Sequence, residues 1–240
     1  MIKIKQENFS VGSFIFARGG SQGIKKKNIT KLNGKPLIQY SIEAAQKNEY
    51  IDDVYVSTDD LEIAEVALKL GANVPFIRPK ELADNDTPEL LAWKHALNFL
   101  KANNKLPDIF ISLPTTSPLR ANGDITNSLE ALVNSKADIC ISICASDRNP
   151  YFNMVQVYKN GIAELLLKSK KAINRRQDAP EIYDITTVAY TGWSKYLLET
   201  EEILNGIVTT TQVPKERSID IDTPFDLKLA EFLIKQDKAY

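Results

Sequence analysis

The stretch Val11–Asn28, VGSFIFARGGSQGIKKKN, runs from an apolar segment straight into a loop of glycines and basic residues. VGSFIFA (11–17) has the unbroken apolar character of a strand covered on both faces. The loop behind it carries no bulk at Gly19, Gly20 and Gly23, so its backbone N–H groups can turn inward as an anion nest, flanked by Arg18 and Lys25–Lys27. It is not a Walker A loop, because Ile24 and Lys25 follow Gly23 where Lys and Ser/Thr are required. Nor is it GxGxxG, since Gly19 and Gly20 are adjacent. The alternative is a solvated basic turn. Its place directly after the first strand favours phosphate binding.

Outward from this stretch, short apolar runs alternate with amphipathic segments. NGKP is a turn, and LIQYSIEAAQKN (37–48) puts Leu37, Ile38, Ser41, Ile42 and Ala45 on one helical face. DDVYVST (52–58) reads as a strand, with Asp59 or Asp60 capping the helix LEIAEVALKL and Gly71 closing it. NVPFIR is strand-like, and TPELLAWKHALNFLKANN is helical with Pro88 near its start. DIFISLP, DITNSLEALVNS and ADICISIC then read as strand, helix and strand. This order predicts an α/β fold: a mostly parallel sheet with helices on both faces.

The pattern breaks between Arg148 and Asp184. NPYFNMVQVY and NGIAELLL form a hairpin turning at Asn160-Gly161, and the polar KSKKAINRRQDAPEIYD follows. We read 149–184 as an inserted lobe, and 1–148 with 185–240 as the main domain. ITTVAYTGW resumes as a strand, and TPFDLKLAEFLIKQ closes as a helix beginning at Asp222 or Thr223.

Composition narrows the function. The chain has 240 residues and a net charge of −1, with 30 Lys+Arg against 31 Asp+Glu. That balance disfavours nucleic acid as a partner. No apolar run suggests a membrane span, and MIKIKQENFS lacks the apolar core of a signal peptide. Cys140 and Cys144 would stand about 13 Å apart along one strand, too far for a disulfide. They read as reduced thiols of a cytoplasmic protein.

Ligands of open α/β sheets bind beyond the carboxyl ends of the strands. The polar loops 17–28, 57–60, 78–87, 114–122 and 214–224 all fall at such ends. In SIDIDTP, Asp220 and Asp222 alternate across Ile221, so on a strand both carboxylates share a side while Ile221 enters the core. Such a pair beside a triphosphate suits Mg²⁺; the alternative is that Asp222 caps the last helix and Asp220 pairs with Arg217. The hydroxyls and Arg120 of LPTTSPLR are candidate contacts to a base, ribose or phosphate. His95, the one histidine, lies in mid-helix and reads as structural, which disfavours a Ser-His-Asp hydrolase or a His-rich metal site.

ARGGSQGIKKKNI, VSTDDLEIAEVA, VPFIRPKELADNDTP, PTTSPLR and SIDIDTPFDLKLAE occur in this order along nearly the whole chain. Together they resemble the acylneuraminate cytidylyltransferases, the CMP-sialic acid and CMP-nonulosonate synthetases, and more loosely the CMP-Kdo synthetases. The resemblance implies a nucleotide-diphospho-sugar transferase-like fold with a small dimerisation lobe, hence a homodimer. It implies that CTP and a 2-keto-3-deoxy sugar acid give CMP-sugar and pyrophosphate, with Mg²⁺ as cofactor.

By position it implies that Arg18, Gly19, Gly20, Ser21, Lys27 and Asn28 form the nucleotide loop, with Arg78 and Ser117 near the cytidine. Asp220 and Asp222 match the metal ligands, and Arg18, Lys27 and these two aspartates the catalytic set. Of the three lysines only Lys27 aligns with a working residue; Lys25 and Lys26 are expected in solvent.

The departures from the family concern mostly the sugar side. Pro114 stands where a glutamine is common. The Arg-Gln-x-x-Pro element is kept as Arg176, Gln177 and Pro180, but Asp184 and Thr186 replace the Arg and Asn of an RPNGA stretch. Arg176, Gln177, Asp184 and Thr186 are therefore the sugar-side candidates, for a sugar with different substituents or one whose carboxylate meets Arg148 or Arg176. GIKKKN also replaces GIPGKN or GIPRKN, removing a proline. A nucleotidyltransferase using a Kdo-like acid, a sugar-1-phosphate or another NTP is the competing enzyme reading. A catalytically silent nucleotide binder is the competing class, against which Lys27 and both aspartates are retained.

Overall fold

The structure, a computed structural model, describes residues 9–169, 173 and 175–236. Strand β1 (Val11–Phe16) enters the glycine loop, which ends in a 3₁₀ turn at Lys27–Ile29. The tiny hairpin β2 (Lys31–Leu32) and β3 (Lys35–Pro36) leads into α1 (Leu37–Gln46). Then follow β4 (Asp53–Ser57), α2 (Leu61–Lys69), α3 (Glu89–Ala102), β5 (Ile109–Ser112), α4 (Asn122–Asn134) and β6 (Ile139–Ala145). The hairpin β7 (Val155–Val157) and β8 (Ala163–Leu165) precedes β9 (Tyr183–Trp193), α5 (Ser194–Glu199), β10 (Val208–Gln212) and α6 (Pro224–Gln236).

The main sheet has the order β10-β6-β9-β5-β1-β4. β1 pairs parallel with β4 and β5, and β10 parallel with β6, while β9 runs antiparallel between β5 and β6. The alternation of side chains feeds two cores. Val11, Ile15, Val54, Val56, Ile109, Ile111 and Cys140 face one side with residues of α1, α2 and α4. Phe14, Tyr55, Phe110, Ile139 and Ile141 face the other with Trp93 and Leu97 of α3 and Leu197 of α5. Both faces are therefore dry, which is why these strands lack a polar period. A third cluster joins Leu32, Leu37, Leu119, Ile221 and Ala230, with Ile24 and Leu227 packed against it. It anchors the glycine loop to α6.

The structure departs from the sequence reading in several places. NVPFIR is not a strand; only Asn73 bridges Tyr55, and Pro75 cannot donate to a ladder. β10 and α5 carry too weak a pattern to be read: VTTTQ is mostly hydroxylated, and α5 is short. Two residues of β9, Tyr183 and Asp184, fall inside the span 149–184. Residues 170–172 and 174 of that span lie outside the described residues.

β9 is also irregular. Ile141 pairs with Tyr190, but the next residue, Ser142, pairs with Thr186, so Thr187, Val188 and Ala189 fall between paired positions. The hairpin turn brings Gly161 to φ +80°, a left-handed conformation that favours glycine. Cys140 and Cys144 are buried and unbridged. Among the described residues, no helix is long and apolar enough to cross a membrane.

Candidate active site

The carboxyl ends of β1 and β5 open into a cleft of about 380 Å³. It is lined by Arg18, Ser21, Gln22, Gly23, Lys27 and Asn28 of the glycine loop, by Pro114–Thr116 after β5, and by Asp222. The loop is shaped by bonds from its own flanks. Gly19 N donates to Asp59 Oδ1 at 2.9 Å, and Asn28 Nδ2 donates to the Arg18 carbonyl at 2.8 Å. Asn28 Oδ1 accepts from Thr115 Oγ1, so both ends of this amide hold the protein together. Arg18 reaches across to the Asp84 carbonyl at 3.1 Å.

Two glycines are required by close approach. A Cβ on Gly23 would stand 2.0 Å from the Asp222 carbonyl oxygen, and one on Gly19 would meet Asp60 Oδ2 at 2.8 Å. Asp60 is fixed as the N-cap of α2, accepting from Glu62 N and Ile63 N. A Cβ on Gly20 would meet nothing within 4 Å. Lys26 adopts φ 52°, a left-handed conformation, and its ammonium pairs with Glu62 on α2. It is exposed to solvent, as expected from sequence, and in addition ties the loop to the helix.

Asp220 and Asp222 differ in setting. They are not on a strand; their extended backbone is pinned by Ile221 N donating to the Thr116 carbonyl at 2.8 Å, with Ile221 fully buried. Asp222 extends to Lys27, 2.8 Å from Oδ1 to Nζ. Thr223 caps α6 in its place, exchanging bonds with Asp226, while Arg217 pairs with Asp124 at 2.8 Å. Asp220 Oδ1 is buried and makes no hydrogen bond. Burial raises the Asp220 pKa, the Asp222 charge adds to the rise, and Thr116, Lys27 and Thr187 oppose it.

An unpartnered buried carboxylate oxygen beside a second carboxylate fits a hard cation. Among the described residues there is no group of three or more His, Cys, Asp or Glu that would hold one. The protein offers Asp220 and Asp222, and phosphate oxygens and water would complete the shell, as is usual for Mg²⁺.

Other candidates lie elsewhere. Arg78 is 5% exposed, 3.8 Å from Asp59, and its Nε and Nη2 have no hydrogen-bond partner. Burial lowers its pKa and Asp59 opposes this. Ser117 is buried, its Oγ 2.6 Å from Thr187 Oγ1. Neither lines the cleft. Arg120, a candidate ligand contact from sequence, is corrected by the structure: its guanidinium is buried against backbone carbonyls.

Arg176 and Gln177 line a second cleft of about 500 Å³, with Arg148, Asn149, Tyr183 and Gln212. It lies on the same edge of the sheet, at the carboxyl ends of β6 and β10 and the amino end of β9. Arg176 Nη2 donates there to the Ser146 carbonyl at 2.7 Å. Asp184 is exposed opposite Cys144, whereas Thr186 is buried opposite Ser142 with an unpartnered hydroxyl. Glu89 went unread in the sequence. It accepts from Trp93 Nε1 at 3.1 Å, and the protein crowded around it raises its pKa, with Trp93 and Arg78 opposing and Asp220 adding. Nothing in its spacing marks it as a site residue, because the charged groups that act on it, Arg78 and Asp220, come from distant loops.

Comparison with known proteins gives a consistent answer. A family model described as cytidylyltransferase matches residues 13–240. The CMP-N,N'-diacetyllegionaminic acid synthase of Campylobacter jejuni is 37% identical over 224 residues, covering 92% of this chain and 93% of that protein. Post-translational flagellin modification protein B of Campylobacter coli is 33% identical over 224 residues, with 92% and 94% covered. A pseudaminic acid cytidylyltransferase of Campylobacter jejuni is 34% identical over 220 residues, with 91% and 94% covered. Among solved structures, a CMP:2-keto-3-deoxy-manno-octonic acid synthetase complexed with CTP matches with TM-score 0.71 at 18% identity, over 95% of this chain and 99% of that one. That likeness concerns the fold.

Proposed function

This chain belongs to the cytidylyltransferase family, and from that membership we propose that it couples CTP to a nonulosonic, sialic-acid-like sugar acid, giving CMP-sugar and pyrophosphate. It is a nucleotidyltransferase; the sugar class, the cofactor and the residue roles are our reading. The observation that carries it is the cleft at the ends of β1 and β5, where Arg18, Lys27 and the glycine loop face Asp222.

The chemistry asks for such a cleft. The anomeric hydroxyl of the sugar acid attacks the α-phosphorus and loses its proton as the new P–O bond forms. The bond from the α-phosphorus to the α,β-bridging oxygen breaks, and pyrophosphate leaves with the electron pair. Charge grows on phosphoryl oxygens throughout, so positioned cations supply most of the catalysis. Arg18 and Lys27 serve the triphosphate, with Gly19, Gly20 and Ser21 giving the loop its close approach and Asn28 holding its shape. Arg78 and Ser117 support the cytidine side from behind the cleft wall. Mg²⁺, held by Asp220 and Asp222, would neutralise phosphate charge.

The second cleft supports the sugar assignment. Arg148 and Arg176 give it two cations suited to a carboxylate, with Gln177 beside them and Asp184 and Thr186 on the adjoining strand. The hairpin β7–β8 exposes Val155, Val157, Ile162 and Leu165–Leu167. Such a patch suits burial against a second copy, supporting a dimer built by the 149–184 lobe. Dependence on CTP and the unbridged cysteines support a cytoplasmic enzyme. The flagellin-modifying name of one relative supports a role in surface glycan synthesis.

Measuring pyrophosphate release with each of the four NTPs tests this, against nonulosonic acids, a Kdo-type acid and sugar-1-phosphates. Release is expected with CTP and a nonulosonic acid. Release only with a sugar-1-phosphate, a Kdo-type acid or another NTP would replace this reading.

A further inference from the structure

Arg120 follows the loop that frames the cleft, yet it is 7% exposed and turned into the protein. Its Nε donates to the Val188 carbonyl at 2.9 Å and its Nη1 to Ser41 Oγ at 2.7 Å. Its Nη2 donates to the Pro114 carbonyl and, at 3.5 Å, to that of Thr187. A charge so buried is tolerated only where several acceptors offset its desolvation. Burial pulls its pKa down to about 9, with Asp124 opposing, which leaves it charged at neutral pH.

These acceptors belong to separate pieces of the fold. Ser41 lies on α1, Pro114 starts the loop after β5, and Thr187 and Val188 belong to the segment of β9 that the pairing with β6 skips. An irregular strand must find other partners for its carbonyls. Arg120 supplies them at Thr187 and Val188, and Ser142 Oγ donates to the Ala189 carbonyl at 3.1 Å. The planar fork of a guanidinium reaches these directions at once, which an ammonium does not.

The loop that Arg120 joins to β9 is the one that pins the backbone between Asp220 and Asp222. Thr116, in the braced loop, accepts Ile221 N at 2.8 Å. The side chains of Thr116 and Thr187 both act on the Asp220 carboxyl, and Ser117 locks to Thr187 at 2.6 Å. We infer that Arg120 is a positioning residue: by tying the 114–117 loop to Thr187 and Val188, it sets where the Asp220 carboxylate stands relative to Asp222. The inference rests on the reading of these aspartates as ligands of a divalent cation.

The test compares the full-length wild type with Arg120→Lys and Ser41→Ala. Ser41 meets Arg120 and the Pro114 carbonyl and does not line the cleft. Mn²⁺ is titrated with a non-hydrolysable CTP analogue and followed by water-proton relaxation enhancement, which reports protein-bound metal. Thermal melting and the KM for CTP at saturating metal are measured in parallel.

Arg120→Lys is expected to weaken Mn²⁺ about tenfold or more, on the scale of lost outer contacts to metal ligands. Ser41→Ala is expected to weaken it a few-fold, about the contribution of one hydrogen bond. The KM for CTP should stay within about twofold in both. Unchanged Mn²⁺ affinity in the folded fraction of these variants makes Arg120 a purely structural residue and overturns the inference. Should Arg120→Lys fail to fold, Ser41→Ala alone decides by the same criterion. Absence of bound Mn²⁺ in the wild type removes the cation reading, and this inference with it.

Discussion

Lys27 Nζ stands 2.8 Å from Asp222 Oδ1, across 195 residues of chain. The cation read as a triphosphate contact and the carboxylate read as a metal ligand thus neutralise each other across the mouth of the cleft. Lys27 is 15% exposed and Asp222 68%. On that reading a triphosphate would compete for Lys27 and leave Asp222 available to a cation, so the pair would link the two binding events.

Asp222→Asn should therefore lose most turnover while the fold survives. The pair is at the solvent edge, where such contacts contribute within about 1 kcal/mol, so thermal melting should barely move. A loss of kcat by about 10²-fold is the scale expected when stabilisation of developing charge is removed. Near-wild-type pyrophosphate release would take the metal role from Asp222.

Gly23→Ala should damage the same cleft by displacement. Its Cβ would meet the Asp222 backbone oxygen at 2.0 Å, and backbone on both sides leaves no flexible group to give way. A shift of about 1 Å in a positioned group costs up to about 10²-fold. Gly123→Ala, in the first turn of α4 with nothing within 4 Å of the added Cβ, should stay close to wild type. Steady-state kinetics on the two variants makes the comparison, and equal effects would contradict it.

His95 offers a clean pH test because it is the single histidine. Its ring sits edge-on to Phe76 at 4.7 Å, with Nδ1 buried and unpartnered. Burial lowers its pKa from 6.5, and Arg78 adds to the effect. The unfolded chain then takes up a proton below about pH 6.5 that the folded protein resists, so stability falls as pH falls through that region. His95→Gln should flatten this part of a urea-unfolding profile against pH. NMR titration of the ring in the wild type should give a midpoint below 6.5.

The hairpin β7–β8 predicts an assembly defect. Val157 is 65% exposed beside the other apolar residues of the lobe. Val157→Glu places a charge in that patch and should halve the mass seen by light scattering, with the main domain still folded. A wild type that already has monomer mass, or a variant of unchanged dimer mass, would take the assembly role from this hairpin.

Much of the fold was legible because dry strands and amphipathic helices carry their own periodicity. VGSFIFA, DDVYVST, DIFISLP and ADICISIC were each found as strands. The loops at their carboxyl ends, and the Asp220–Ile221–Asp222 alternation with its buried isoleucine, were found with them. NVPFIR misled because apolar content does not reveal whether a strand partner exists. VTTTQ was missed because an edge strand of hydroxylated residues has no apolar signature.

The sequence by itself determined the elements, the glycine loop, and which residues have the chemistry for phosphate and metal. Only the tertiary structure decided where their side chains point. Arg18 and Lys27 face the cleft, while Arg120, equally cationic, is drawn inward because β9 leaves carbonyls there to be satisfied. Lys26 looked like its neighbours until α2 brought Glu62 against it. Charge type is written locally, but the acceptor that captures a charge arrives from a distant part of the chain, and for a buried charge such as Arg120 desolvation makes that encounter decisive.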